Sequence, residues 1–260
     1  ASRAWGSTQV MVPIVAGVAL LGLFVLREHT AANPLVPLRF FANRTRVTAN
    51  IVTLCFASVF FTLFFLLTLY LQGVLHYSAL RTGLAYLPFG IAIGAGIGLS
   101  STLVTRVGVK ALLGAGFVLG ALGVFAMTTI SVHGSYLTEL LPGMVLMAFG
   151  SGLCFSGFSN ASIHGVSGED ASLASGVQNA VQQVGGAIGL AVLATIALRH
   201  SATAVRHGVQ TAAASTAGTV VAFRIGAVIM LVGAIAVGVL FERVRAATPV
   251  PAEVAAPVAA

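Results

Sequence analysis

Charge is what this chain has least of: only 7% of its 260 residues are Asp, Glu, Lys or Arg. An ordinary soluble domain carries about 25%. Thirteen basic and six acidic side chains cannot cover a 26.4 kDa globule in water, and a mean hydropathy of +1.02 agrees. A soluble fold is therefore excluded. Cysteine is almost as scarce. Cys55 and Cys154 both stand in apolar runs with no CxxC or Cys/His neighbour, so the spacing supports neither a disulfide nor a metal site. They read as small packing residues. The one lysine, Lys110, falls between apolar runs, so a retinal-type Schiff base inside a helical bundle has no residue to form on. His29, His76, His133, His164, His200 and His207 fall in loops or at run ends, unpaired at ligand spacing. The chain has no GxxxxGK[ST] phosphate loop. No catalytic constellation, metal or cofactor is expected, and the chain reads as a non-enzyme. The net charge of +7 comes from scattered arginines rather than a basic stripe, which argues against nucleic acid.

What the chain does have is apolar length, with 58% of its residues hydrophobic. A bilayer core of about 30 Å needs about 20 apolar residues per helix. Seven runs meet or approach that length: 9–26, 47–71, 80–104, 109–131, 137–159, 174–198 and 219–241. The fold class expected is an all-α transmembrane bundle. Residues 1–46 read as a single membrane helix plus a cytoplasmic linker, broken at Asn33-Pro34 and Pro37. Residues 47–245 read as a six-helix bundle, with a loop at 199–218. Residues 246–260 read as a disordered cytoplasmic tail rich in Ala, Pro and Val.

Orientation follows from the cations. With 27–46 inside, the cytoplasmic face receives Arg27, Arg39, Arg44, Arg46, Arg106, Lys110, Arg243 and Arg245. The outside receives Arg3, Arg81, Arg199 and Arg206, with Arg224 at the border. The N-terminus is then outside and the C-terminus cytoplasmic. The chain begins Ala1-Ser2-Arg3 without Met or a signal pattern, which points to a start inside a longer polypeptide.

Glycine recurs at four-residue spacing: Gly90, Gly94 and Gly98; Gly116 and Gly120; Gly185 and Gly189. Such spacing lets helix backbones approach closely in lipid, so all three sets are expected at tight helix contacts. Pro88 and Pro142 are candidate kinks. An amide facing lipid costs several kcal/mol, so polar faces should point inward. Asn50, Thr53, Ala57, Phe61, Phe64 and Thr68 share one face of the second run, and Gly176, Asn179, Gln183 and Gly186 one face of the sixth. Asn50, Thr53, Phe61, Phe64, Asn179 and Gln183 are the candidates for lining a substrate cavity; bonding between helices explains them equally well. Glu139 is either a proton or cation site or an interfacial carboxylate that the helix dipole favours.

Three stretches carry a resemblance. Tyr70-Leu71-Gln72-Gly73 with Tyr77-Ser78-Ala79-Leu80-Arg81-Thr82-Gly83-Leu84-Ala85-Tyr86-Leu87-Pro88 is similar to an outer hairpin of major facilitator transporters, in particular the fourteen-helix drug:proton antiporter branch. Ala174-Ser175-Gly176-Val177-Gln178-Asn179-Ala180-Val181-Gln182-Gln183-Val184-Gly185-Gly186-Ala187-Ile188-Gly189 resembles that branch's penultimate helix, and Asn33-Pro34-Leu35-Val36-Pro37-Leu38 its linker before the C-terminal bundle. The stretch 101–110 resembles a second copy of the family's cytoplasmic gate motif. Leu103, Arg106, Gly108 and Lys110 match, while Ser101 and Thr105 replace a glycine and an aspartate.

The resemblance implies the C-terminal portion of a proton-coupled multidrug-type exporter in a bacterial inner membrane. Its partners would be the lipid bilayer, protons, a small lipophilic or cationic substrate and a missing N-terminal helical bundle. In such folds the site lies between two rocking halves, so one half alone should not transport. The alternative is a truncated, non-transporting membrane protein that docks on another helical bundle.

Overall fold

The computed structural model describes residues 7–31, 44–162 and 168–241, in two compact units, 1–44 and 45–260. The expected linker breaks at Pro34 and Pro37 and the expected tail 246–260 lie outside the described residues. The first unit contains α1, Thr8–Thr30, long and apolar enough to cross a bilayer. The second unit holds α2 (Arg44–Gly73), the short α3 (Ala79–Ala85), α4 (Leu87–Ala126), α5 (Leu141–Ser162), α6 (Gly168–Gly189), α7 (Thr195–Arg206) and α8 (Thr211–Leu240). Five-residue π-turns, Tyr136–Leu140 and Leu190–Ala194, lead into α5 and α7.

Six helices among the described residues are long and apolar enough to span a membrane, where seven runs were expected. The difference lies in Ala79–Thr129, a continuous helical stretch that takes in both the 80–104 and 109–131 runs. A single residue, Gly108, interrupts it, with φ 81° and ψ 163°. Gly96 packs against Gly152 of α5, and Gly116 against Gly150 of the same helix. In a straight helix, residues twenty apart lie about 30 Å from each other. Both meet α5 within two residues, so α4 turns back on itself at Gly108. The turn falls in the gap between the 80–104 and 109–131 runs, where a loop was expected, but a single residue makes it, so the two arms count as one helix.

Two other expectations are corrected. The loop predicted over 199–218 is largely helical, because α7 runs to Arg206 and α8 starts at Thr211. The segment Thr211–Gly218 is rich in Ala, the best helix former, though too polar to count as a span. Pro88 does not kink a helix, because it stands at the second residue of α4, where the missing N–H costs no intrahelical bond. Pro142 lies inside the continuous helical stretch Tyr136–Ala161, directly after the π-turn Tyr136–Leu140.

In lipid, helices associate through close packing rather than through hydrophobic exclusion. The seam between the second arm of α4 and α5 is built that way. A Cβ on Gly116 would lie 2.6 Å from the Cys154 sulfur and 2.7 Å from the Gly150 carbonyl oxygen. One on Gly123 would lie 2.5 Å from Met147 N, and one on Gly143 2.7 Å from Gly123 O. The α2–α6 seam follows the same rule. Gly185 lies against Leu54, Gly189 against the Ser58 backbone, and the Ser58 hydroxyl donates to Gly185 O at 2.9 Å. Between the seams, Phe56, Leu63, Leu67, Phe117, Met144, Phe158 and Met230 fill the core.

Candidate functional site

The interior of α2 is aromatic at helical spacing, with Phe56, Phe60 and Phe64 one turn apart. Phe56 meets Phe117 of α4 and Phe155 and Phe158 of α5, with ring centroids 5.4–6.2 Å apart. Phe60 links Phe56 at 5.4 Å to Phe64 at 5.7 Å. Phe64 stacks on Tyr86 at 4.6 Å and meets Phe89 edge-on at 4.9 Å. The result is a continuous aromatic file from α5 to the start of α4. Edge-to-face and offset pairs of this kind contribute about 0.5–1.5 kcal/mol each beyond their burial. Two hydrogen bonds fix its end. The Tyr86 hydroxyl donates to Phe64 O at 3.1 Å and lies 3.0 Å from the Thr68 hydroxyl.

The expected polar face of α2 is divided by this packing. Thr53 and Ala57 are buried, and Asn50, Phe64 and Thr68 are half-buried. The Thr53 hydroxyl has no hydrogen-bond partner. Phe61 is 37% exposed, with one side of its ring laid on Gly186 of α6. Asn179 and Gln183 are exposed. They lie just past the Gly186–Phe61 contact, on the flank of α6 that turns away from Gly185 and Gly189. The bundle thus brings Phe61, Asn179 and Gln183 to one uncovered border of the α2–α6 seam, while Thr53 and Phe64 lie within the packing. Sequence reasoning missed Phe60, Tyr86, Phe89 and Phe155, the middle of the aromatic file. The Phe56-Phe60-Phe64 spacing was the available signal.

Glu139 sits on the π-turn before α5. Its carboxylate accepts the Ser131 N–H at 2.8 Å and the Ser131 hydroxyl at 3.2 Å, closing the 131–139 loop over Gly134. The Tyr70 hydroxyl donates to Ser131 O at 2.7 Å, and the Tyr136 hydroxyl to Ala85 O at 2.6 Å. These bonds bolt the loop to α2 and α3. A surface cavity of about 510 Å³ lies beside them, lined by Tyr77, Arg81, Leu84 and Tyr136, with the Arg81 guanidinium 3.8 Å above the Tyr77 ring.

Midway along α4, Gly108 makes the turn, Arg106 precedes it exposed, and Lys110 follows it half-buried. The backbone there lies in a region open essentially to glycine alone. No cluster of metal-ligating side chains occurs among the described residues.

A bundle of reversed, glycine-seamed membrane helices narrows the family, and comparison with known proteins decides it. The family model of the Major Facilitator Superfamily matches residues 4–190. The chain belongs to the Major Facilitator Superfamily. It is 33% identical over 256 residues to the puromycin resistance protein pur8 of Streptomyces alboniger, covering 95% of this chain and 51% of that one. It is 36% identical to the lincomycin resistance protein of Streptomyces lincolnensis, covering 70% and 38%. It is 35% identical to the cephamycin export protein CmcT of Amycolatopsis lactamdurans, covering 74% and 40%. The chain therefore spans about half or less of the length of these relatives. Membership places it in a membrane transporter family, and its long apolar helices agree with a place in the bilayer.

Proposed function

We propose that the chain forms the C-terminal half of a proton-coupled efflux transporter of the drug:proton antiporter branch, carrying small lipophilic or cationic molecules. Residues 47–245 are then the C-terminal bundle, entered from a cytoplasmic linker, with the chain's N-terminus outside, its C-terminus in the cytoplasm and the bacterial inner membrane as its location. The observation that carries this reading is the uncovered border of Phe61, Asn179 and Gln183 in a chain about half as long as resistance and export proteins. Amides at membrane depth need water or a polar partner. A second helical bundle across a solvent path supplies both. Phe61 offers an apolar ring and the amides offer hydrogen bonds, a pairing suited to amphiphilic solutes. Asn50, Thr53 and Phe64 stand behind this border as its support.

A second surface favours a missing half. Gly90, Gly94 and Gly98 leave open space where their Cβ atoms would be, so this four-residue stripe is unused within the bundle. A helix from another bundle can approach its backbone closely.

Arg106, Gly108 and Lys110 would form the cytoplasmic gate, as the motif resemblance implies. Glu139 holds the opposite loop, and we assign proton coupling to groups outside this chain. The test is efflux of a lipophilic cationic dye from cells carrying the native polypeptide that contains this chain. Efflux should cease when a protonophore collapses the gradient, with ATP held constant. Efflux that continues unchanged would contradict the proposal.

A further inference from the structure

The Gly108 turn faces the C-terminal end of α8 across a cleft of about 730 Å³. Thr105, Arg106 and Lys110 line its polar side. Gly114 of α4 and Val237 and Gly238 of α8 line its apolar side. No carboxylate lines it among the described residues. The acid nearest in sequence, Glu242, lies outside them.

Three features of this cleft favour one kind of occupant. Two fixed cations stand on either side of a one-residue turn. The second arm of α4 starts just after Gly108, so the positive end of its dipole and its first N–H groups lie at the same place. Below them the wall is apolar and narrow in side chain, because Gly114 and Gly238 add none. A mobile inorganic anion uses the cations but has no use for the apolar seam. A phosphodiester attached to acyl chains uses both.

We infer that this cleft is a binding site for an anionic glycerophospholipid. Arg106 and Lys110 hold the phosphate, and the seam of Gly114, Val237 and Gly238 takes the first part of an acyl chain. On the orientation proposed above, the lipid comes from the inner leaflet. The site needs neither substrate nor transport, so it stands or falls apart from the exporter reading.

The test uses the native polypeptide that contains this chain, delipidated in detergent and offered equal amounts of dioleoylphosphatidylglycerol and dioleoylphosphatidylcholine. Bound lipid is counted by native mass spectrometry. Two cations near an anionic headgroup should give a preference of about thirtyfold for the anionic lipid. The double variant Arg106→Gln/Lys110→Gln should bind the two lipids equally, while Arg106→Lys should keep most of the preference. Gly238→Leu leaves the charges in place, and a Cβ there meets nothing within 4 Å, so the fold tolerates it. It should lower retention of the anionic lipid by filling the seam. Equal binding in the unmodified protein, or a preference that survives the double variant, overturns the inference. So does displacement of the lipid by millimolar inorganic phosphate, which would make the site one for the free anion.

Discussion

Two glycine patterns on one helix have opposite fates. On the second arm of α4, Gly116, Gly120 and Gly123 disappear into contacts with α5 and α8. On the first arm, Gly90, Gly94 and Gly98 face open space, and it is Gly96, off the stripe, that meets Gly152. Spacing alone cannot distinguish the two. Small-xxx-small spacing marks a surface that can be approached closely; it does not say by what. The packed pattern belongs to the bundle's own stability, and the open one to whatever completes the bundle.

The comparison is sharpened most by filling the packed seam. Gly116→Leu drives side-chain atoms into the Gly150 backbone, which has nowhere to yield. A loss of about 3 kcal/mol is expected, enough to remove most folded protein from the membrane fraction. Folded yield by detergent-solubilised size exclusion checks this. Gly108→Ala comes next. Its backbone conformation costs a residue with Cβ about 1–3 kcal/mol, and the thermal unfolding midpoint should fall accordingly.

Glu139→Gln has a smaller effect. It weakens two charge-assisted bonds to Ser131 and should lower stability by about 1 kcal/mol, seen as a reduced unfolding midpoint. The proton dependence of efflux should not change. The smallest effect on stability belongs to Gly94→Leu, where a Cβ meets nothing. The bundle should keep its midpoint within about 0.5 kcal/mol. Efflux by the native polypeptide should nevertheless drop sharply, because a second bundle can no longer seat on the stripe. A variant that transports normally would return the stripe to the lipid.

Much of the helical plan was legible in the sequence, since burial in a bilayer writes itself as long apolar runs. The 47–71 run lies within α2, Arg44–Gly73, and Gly185 and Gly189 are used as their spacing suggests. What stayed hidden depends on geometry that no run encodes. A turn between the 80–104 and 109–131 runs was legible, but not that Gly108 alone makes it. The role of Glu139 depends on Ser131, eight residues earlier, being brought back by a turn. The start of α8 is helical by alanine content rather than by apolar length. Asn179 and Gln183 share a helix face, as expected, but that face was expected to point into the bundle and is exposed. Which neighbour that face meets could not be read from it, because the glycines beside it settle how α6 sits on α2.

The most direct test of the account concerns that border. Asn179→Cys and Gln183→Cys, made in a background with Cys55 and Cys154 replaced by Ser, are exposed to a membrane-impermeant maleimide in the native polypeptide. The account predicts that both label, and that a transported substrate protects them, because they line a water-filled path completed by a second bundle. Sites that stay unlabelled while a lipid-soluble maleimide reacts would place these amides against the bilayer and contradict it.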